Sequence, residues 1–226
     1  MNSTDIMALH TGKIGEWRAD GVHCTEKEFL AMVEQNHRFN FQLWNAEDRA
    51  RREDKGFEFV YQAKREIDHC NQQRNNWMER MDQYLWENLD PSQSSDCPTH
   101  SETPGMMIDR LSILALKHYH MEQQTLRDDA TPEHRAQCRE KLAVINAQRL
   151  QLGQCFDALL EEVRTKQRSF KVYFQFKMYN DPTLNPELYQ TADWHPHLPE
   201  GRWFLMQPSV GSCFNEVAQG IGLLTA

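Results

Sequence analysis

Nowhere in this chain of 226 residues does an apolar run approach the ~20 residues that a membrane-spanning helix needs. A basic excess is missing too. Lys and Arg number 25 against 33 Asp and Glu, a formal net charge of -8. An acidic surface repels phosphate backbones and anionic headgroups, so nucleic acid and anionic membrane are not the expected partners. The six cysteines stand at 24, 70, 97, 138, 155 and 213, and none forms a CxxC pair. They read as free thiols in a reducing compartment. Met1 to Gly21 holds no continuous apolar stretch, so the expectation is no signal peptide and a cytoplasmic location. Glycine-rich phosphate loops are absent, as is a GxSxG nucleophile elbow.

What the chain does have is long helical segments punctuated by Gly and Pro. Residues 1–24, with Gly12, Gly15 and Gly21 and no clear period, read as an irregular lead-in. Thr25 with Glu28 has the spacing of a capping box and opens a first helix over about 25–54. Gly56 stops it, and a second Gly/Pro-free run extends from Phe57 to Asp90. Pro104 opens a third helix that fades near Asp128. Thr131-Pro132 caps and opens a fourth, to about Lys166. Residues 170–179 alternate like a strand but have no evident partner, so a short terminal helix is equally compatible. Short loops between long helices favour antiparallel neighbours. The reading is an all-α, up-and-down bundle of about four long helices over residues 25–180, with an irregular C-terminal extension over 181–226.

Continuing each apolar stripe shows which residues interrupt it. The first helix carries Asn36, Asn40 and Glu47 on the face of Phe29 and Val33; the second carries Asn71 and Arg74. His118 interrupts the third stripe and Arg149 the fourth. Folding the first hairpin near residue 55 places Asn40 near Asn71, Asn36 near Arg74 and Asn75, and Glu47 near Lys64 and Arg65. Folding the second near residue 130 brings Arg149 within reach of Asp109 or Arg110. Buried charge must be paired, because an isolated one costs several kcal/mol. Two readings follow. One is a satisfied polar network that fixes helix register. The other is an inter-helix pocket for an anionic or polyhydroxyl ligand, which amides and guanidiniums suit.

Metal chemistry has little support. Glu66 and His69 form an ExxH, but a di-iron bundle needs two such motifs and two further glutamates converging from facing helices. His118 and His120 point about 200° apart on a helix. His195 and His197 flank a proline in the tail without further ligands. No metal or cofactor is expected.

Four segments resemble known signatures. They are Asn40–Arg51 (NFQLWNAEDRAR), Lys64–Asn75 (KREIDHCNQQRN), Asp109–Met121 (DRLSILALKHYHM) and Lys171–Pro186 (KVYFQFKMYNDPTLNP). Together they resemble a bacterial family of helical proteins of unknown function associated with lipopolysaccharide and other surface-glycan biosynthesis. The resemblance covers about residues 25–189, and the tail from Thr191 has no counterpart. It implies a place in surface-polysaccharide biosynthesis, and its signatures centre on polar residues that coincide with or flank the stripe interruptions, which favours the reading of a polar pocket for a sugar or sugar-phosphate. Asn40, Arg51, Asn71, Arg74, Asn75, Asp109, Arg110 and Lys117 are the candidate ligand-binding residues. Glu47 and Asp48, a carboxylate pair beside arginines, are the acid/base candidates. The alternative is a non-catalytic adaptor or partner of a glycosyltransferase whose polar core is purely structural.

Overall fold

The computed structural model describes residues 2–176, 178 and 181–189. His195, His197, Cys213 and most of the 181–226 extension lie outside the described residues. Two compact units divide the chain, the first over Met1–Gln175. The second begins at Phe176, and its described part holds one short helix, α6 (Pro186–Tyr189).

The first unit contains five long helices: α1 (Ser3–Asp20), α2 (Glu28–Ala50), α3 (Phe57–Leu89), α4 (Pro104–Thr125) and α5 (Pro132–Arg164). The last four are those read from the sequence. No helix among the described residues is long and apolar enough to cross a membrane. Both proline starts behave as expected. The Thr103 hydroxyl accepts from the Met106 amide and the Thr131 hydroxyl from the His134 amide, each at 3.2 Å. Contacts between α2 and α3 prove an antiparallel hairpin: Asn36 meets Arg74, Phe39 meets His69 and Arg49 meets Glu66, so one index rises as the other falls.

Two expectations fail at the chain's start. Residues 1–24 are not irregular, because α1 fills most of them. Asn2 and Asp5 form the capping box there, with the Asp5 amide donating to Asn2 Oδ1 at 3.0 Å and the Asn2 amide donating to Asp5 Oδ2 at 3.1 Å. The buried stripe is Ser3, Ile6, His10, Lys13, Ile14 and Trp17. Half of it is polar, which hides the helical period from a hydrophobic reading. Gly12 and Gly15 sit on the opposite, exposed face. Nor does Thr25 cap the next helix, which starts only at Glu28. Instead the Thr25 and Glu26 amides donate to the Glu34 carboxylate, each at 2.9 Å to Oε2. Lys13 from α1 closes the same knot, 2.8 Å from the Thr25 hydroxyl and 3.1 Å from Glu34 Oε1. Long-range charge pairing overrides the local cap.

The segment at 170 also has a partner that the sequence did not reveal. Ser169–Phe170 (β2) pairs in parallel with Thr99–His100 (β1). A parallel pair needs a long crossover, and the α4–α5 hairpin supplies it. Since β1 precedes α4 and β2 follows α5, the pairing sets the start of α4 beside the end of α5. Phe170 is fully buried and meets the Trp86 ring edge-on at 5.7 Å.

Two apolar clusters fill the bundle. The larger contains Ile6, Val33, Met81, Ile108, Leu111 and Phe156; the smaller contains Ile14, Trp17, Phe41, Ala115 and Leu116. Along each contributing helix, polar residues stand between the two. His10 separates Ile6 from Ile14, Asn36, His37 and Asn40 separate Val33 from Phe41, and Ser112 separates Leu111 from Ala115. A polar belt therefore crosses the core at mid-height.

The start of α4 crosses α3 at very short range. The Gly105 amide donates to Asp82 Oδ1 at 2.6 Å, and the Thr103 hydroxyl donates to Asp82 Oδ2 at 2.5 Å. A Cβ on Gly105 would lie 2.5 Å from the Met78 carbonyl oxygen, whereas one on Gly12 or Gly15 meets nothing within 4 Å. Gly105→Ala is expected to lower unfolding stability by about 1–3 kcal/mol through overpacking. Gly12→Ala and Gly15→Ala should each raise it by roughly 0.5–1 kcal/mol, as exposed helix-interior glycines. Urea titration of the three variants checks the contrast, and equal destabilisation by all three would refute it.

Candidate functional site

The polar belt is organised around Asp109 on α4, which is 3 % exposed. Its Oδ1 accepts from Asn36 Nδ2 at 3.0 Å, Asn40 Nδ2 at 2.8 Å and Arg74 Nε at 3.2 Å. Its Oδ2 accepts from Arg74 Nη2 at 2.5 Å. Arg74 thus grips the carboxylate with two nitrogens, the geometry in which a guanidinium binds best. Asn36 also donates to the Arg74 carbonyl at 3.2 Å, and Asn40 donates to the Ser112 hydroxyl at 3.0 Å. One carboxylate therefore ties α2, α3 and α4 together through four accepted hydrogen bonds.

Beyond Ser112 the belt continues in residues that the sequence reading did not single out. Ser112 Oγ and His37 Nδ1 are hydrogen-bonded at 2.7 Å. His37 packs between His10, at 4.5 Å centroid distance, and Trp17, at 5.2 Å. Both imidazoles are fully buried, and neither ring nitrogen of His10 has a partner among the described residues. Burial holds the His37 pKa down at about 3. Burial lowers His10 well below the ordinary value as well, helped by His37 and Arg149. The only advance signal for this pair was its polarity, which made α1 look irregular.

Arg149 is placed differently from expectation. It does not approach Asp109 or Arg110. Its Nη2 donates to the Met7 carbonyl at 2.6 Å and the Thr11 hydroxyl at 2.7 Å, both on α1. With α1 missing from the sequence reading, the α5 face it covers looked open toward α4. The expected Glu47 contact with Lys64 or Arg65 is also absent. Glu47 pairs within its own helix with Arg51, at 2.9 Å, and the cross-hairpin ion pair is Arg49 with Glu66. The hairpin register itself follows the estimate, because Asn36 meets Arg74 and Phe39 meets His69. Asn40 turns toward α4 rather than to Asn71.

Two clefts open on either side of this framework. Cleft A, of about 290 Å³, lies among α2, α3 and α4. Asn40, Glu47, Asp48, Arg51 and Arg74 line it, so five of the ten sequence candidates converge here, with Leu43, Trp44, Ile113 and Leu116. Trp44 is braced from behind: His120 stacks on it at 4.4 Å and 8°, and Arg18 of α1 approaches His120 Nε2 at 3.1 Å. Burial and the Arg18 charge hold the His120 pKa below its ordinary value, which keeps a neutral ring against the indole. Cleft B, of about 600 Å³, lies between α4 and α5 and contains Arg110 and Lys117. Arg110 is clasped there by Glu102 at 2.6 and 2.8 Å. Asn71 and Asn75 are half-buried on α3 and line neither cleft. Asp109 lies beneath Arg74 and Asn40 as their anchor, not on a cleft wall. Among the described residues no group of three or more His, Cys, Asp and Glu converges on a metal position, and Glu66 of the ExxH is engaged by Arg49.

The buried titratable groups give this core a defined pH response. His37, at about 3 in the fold against an ordinary 6.5, contributes stability that is present above pH 6.5 and lost as pH falls toward 3. His10 acts in the same direction. Asp82 acts oppositely. Burial pushes its carboxyl up to about 7, against the pull of Thr103 and Gly105, so its contribution is present below its ordinary 3.8 and lost as pH rises through 7. Between about pH 4.5 and 6, Asp82→Asn should steepen the gain of stability with pH by up to ~1.4 kcal/mol per unit. Urea midpoints of wild type and variant at the two ends measure this, and parallel slopes would contradict it.

Comparison with known proteins gives one match. The family described as "Protein of unknown function (DUF4254)" matches residues 30–172, from α2 to just beyond β2. No curated protein and no solved structure matches the chain.

Proposed function

That match spans well over half of the chain, which therefore belongs to the DUF4254 family of proteins of unknown function, and we propose that cleft A binds a sugar carrying an anionic group, as a sugar-phosphate does. The supporting observation is the make-up of that one cleft. A braced indole, two carboxylates, an amide and two guanidiniums face about 290 Å³. An indole offers a flat apolar face to the C–H side of a pyranose. Glu47, Asp48 and the Asn40 amide suit hydroxyls. Arg51 and Arg74 suit a phosphate. Arg74 uses Nε and Nη2 on Asp109, which leaves Nη1 with no partner among the described residues. The resemblance of four segments to a surface-glycan-associated family supports the same ligand class, and with it a cytoplasmic role in surface-polysaccharide, lipopolysaccharide-type biosynthesis.

Binding is the better-supported activity. A general acid or base at neutral pH needs a carboxyl tuned by burial. Asp48 is exposed, and Glu47 is partly exposed and already clasped by Arg51. If the cleft also turns its ligand over, these two carboxylates are the groups within reach.

A second reading, a non-catalytic adaptor or partner of a glycosyltransferase, draws on a separate observation. The start of α3 leaves Phe57 82 % exposed, stacked on a half-exposed Tyr61 at 6.0 Å. An apolar patch of this kind fits protein docking.

Thermal shift with hexose 1-phosphates and inorganic phosphate separates the two. Wild type should gain several degrees with a hexose 1-phosphate, on the scale of about 2–4 °C per kcal/mol of binding linkage, and less with phosphate alone. Arg51→Ala and Trp44→Ala should each remove at least half of that gain. If no hexose phosphate moves the Tm of well-folded wild type, the sugar-phosphate reading fails and the adaptor reading stands.

A further inference from the structure

Cleft B shares a wall with cleft A, and that wall is one side chain. Ile113 lines both. At about 100° per residue along α4, Leu116 stands roughly 60° to one side of Ile113, and Lys117 and Arg110 roughly 40–60° to the other. Leu116 faces cleft A, while Arg110 and Lys117 face cleft B, as that arrangement requires. A ligand rooted on Trp44 thus needs to cross only the half-buried Ile113 to reach a second cleft about twice as large.

The chemistry of cleft B differs from that of cleft A. Its floor is apolar, with Met107, Leu114 and Leu152, and its rim bears the Gln148 and Gln151 amides. Among its lining residues the only ring is His100, so it lacks the indole platform a second sugar would favour. Side-chain amides each offer a donor and an acceptor, which matches the edge of a nucleobase, and the apolar floor matches its face. Lys117 is exposed beside the Ile113 crossing and makes no ion pair among the described residues. A diphosphate linkage passing over Ile113 would lie between Lys117 on one side and the Arg51 and Arg74 guanidiniums on the other.

Resting on the sugar-phosphate reading of cleft A, we propose that the two clefts form one bipartite site for a nucleoside diphosphate sugar, with the glycosyl group against Trp44 and the base in cleft B.

Cys155 provides a reporter, because it is an exposed free thiol on the wall of cleft B, while Cys24 is an exposed free thiol that lines neither cleft. The full chain is alkylated with iodoacetamide in the presence of nucleoside diphosphate hexoses of different bases, or of hexose 1-phosphate, and each cysteine is followed by mass spectrometry. At least one nucleoside diphosphate hexose should slow Cys155 alkylation fivefold or more with Cys24 unchanged, and hexose 1-phosphate should slow neither. Lys117→Ala and Arg51→Ala should each weaken the protection at least threefold. Protection that survives Arg51→Ala unchanged places the nucleotide in cleft B alone and overturns the bipartite site. So does a hexose 1-phosphate shift that depends on Arg51 with no nucleoside diphosphate hexose protecting Cys155; in that case the sugar-phosphate reading survives. If no compound shifts Tm or protects Cys155, both proposals fall.

Discussion

The bundle depends on the ion pair that Arg74 makes with buried Asp109, and on the two asparagines that complete it. A carboxylate 3 % exposed on α4 would be ruinous if unpaired, since an isolated buried charge costs several kcal/mol. Arg74 from α3 and Asn36 and Asn40 from α2 must therefore all reach it at once. That requirement sets the register of three helices more sharply than apolar packing does, because apolar side chains tolerate a slip of a turn and a bidentate grip does not. The same requirement brings Arg74 and Asn40 to the wall of cleft A. Scaffold and candidate site are in this sense one set of atoms: Asp109 holds rigid the groups that face the cleft, and a ligand has no reorganisation of Arg74 to await.

A second polar layer joins α1 to this framework. Lys13 meets Glu34, Arg149 meets Met7 and Thr11, and His10 packs on His37. These contacts are polar on both sides, so α1 is held by charge and hydrogen bonds as well as by Ile6, Ile14 and Trp17. It also reaches the site indirectly, because Arg18 steadies His120, and His120 supports Trp44. The matched family segment begins at residue 30, after α1, yet α1 supplies half of the buried histidine pair and a brace for the cleft.

The parts of the fold that could be read in advance were those written in local chemistry. Proline at 104 and 132 and glycine at 56 punctuate four helices, and the structure places those helices within a few residues of the reading. Asn36, Asn40 and Arg74 were visible as interruptions of apolar stripes, and they do meet. The failures share one cause. Wherever a long-range polar contact replaces an apolar one, the hydrophobic period disappears. Thus α1 reads as an irregular lead-in because Ser3, His10 and Lys13 share its inner face with Ile6, Ile14 and Trp17. Thr25 looked like a cap because nothing local announced that Glu34 would take its amide. Arg149 reads as a partner of α4 because its true partners, Met7 and Thr11, lie on α1, whose helical period is hidden. The β1–β2 pair escaped notice for a related reason, since parallel partners 70 residues apart leave no local trace.

If the Asp109 network serves both the register of the helices and the cleft, a paired replacement separates the two roles. Arg74→Met alone strands a buried carboxylate and should cost about 3–5 kcal/mol. Adding Asp109→Leu removes that charge, and Asn36 and Asn40 keep the Arg74-position carbonyl and Ser112 as partners. The decisive measurement is urea unfolding of the single and double variants alongside their Tm response to a hexose 1-phosphate. The double variant should regain most of the lost stability while its response to the sugar-phosphate is abolished. A double variant that folds well and responds as wild type does would show that the network only holds the helices in register.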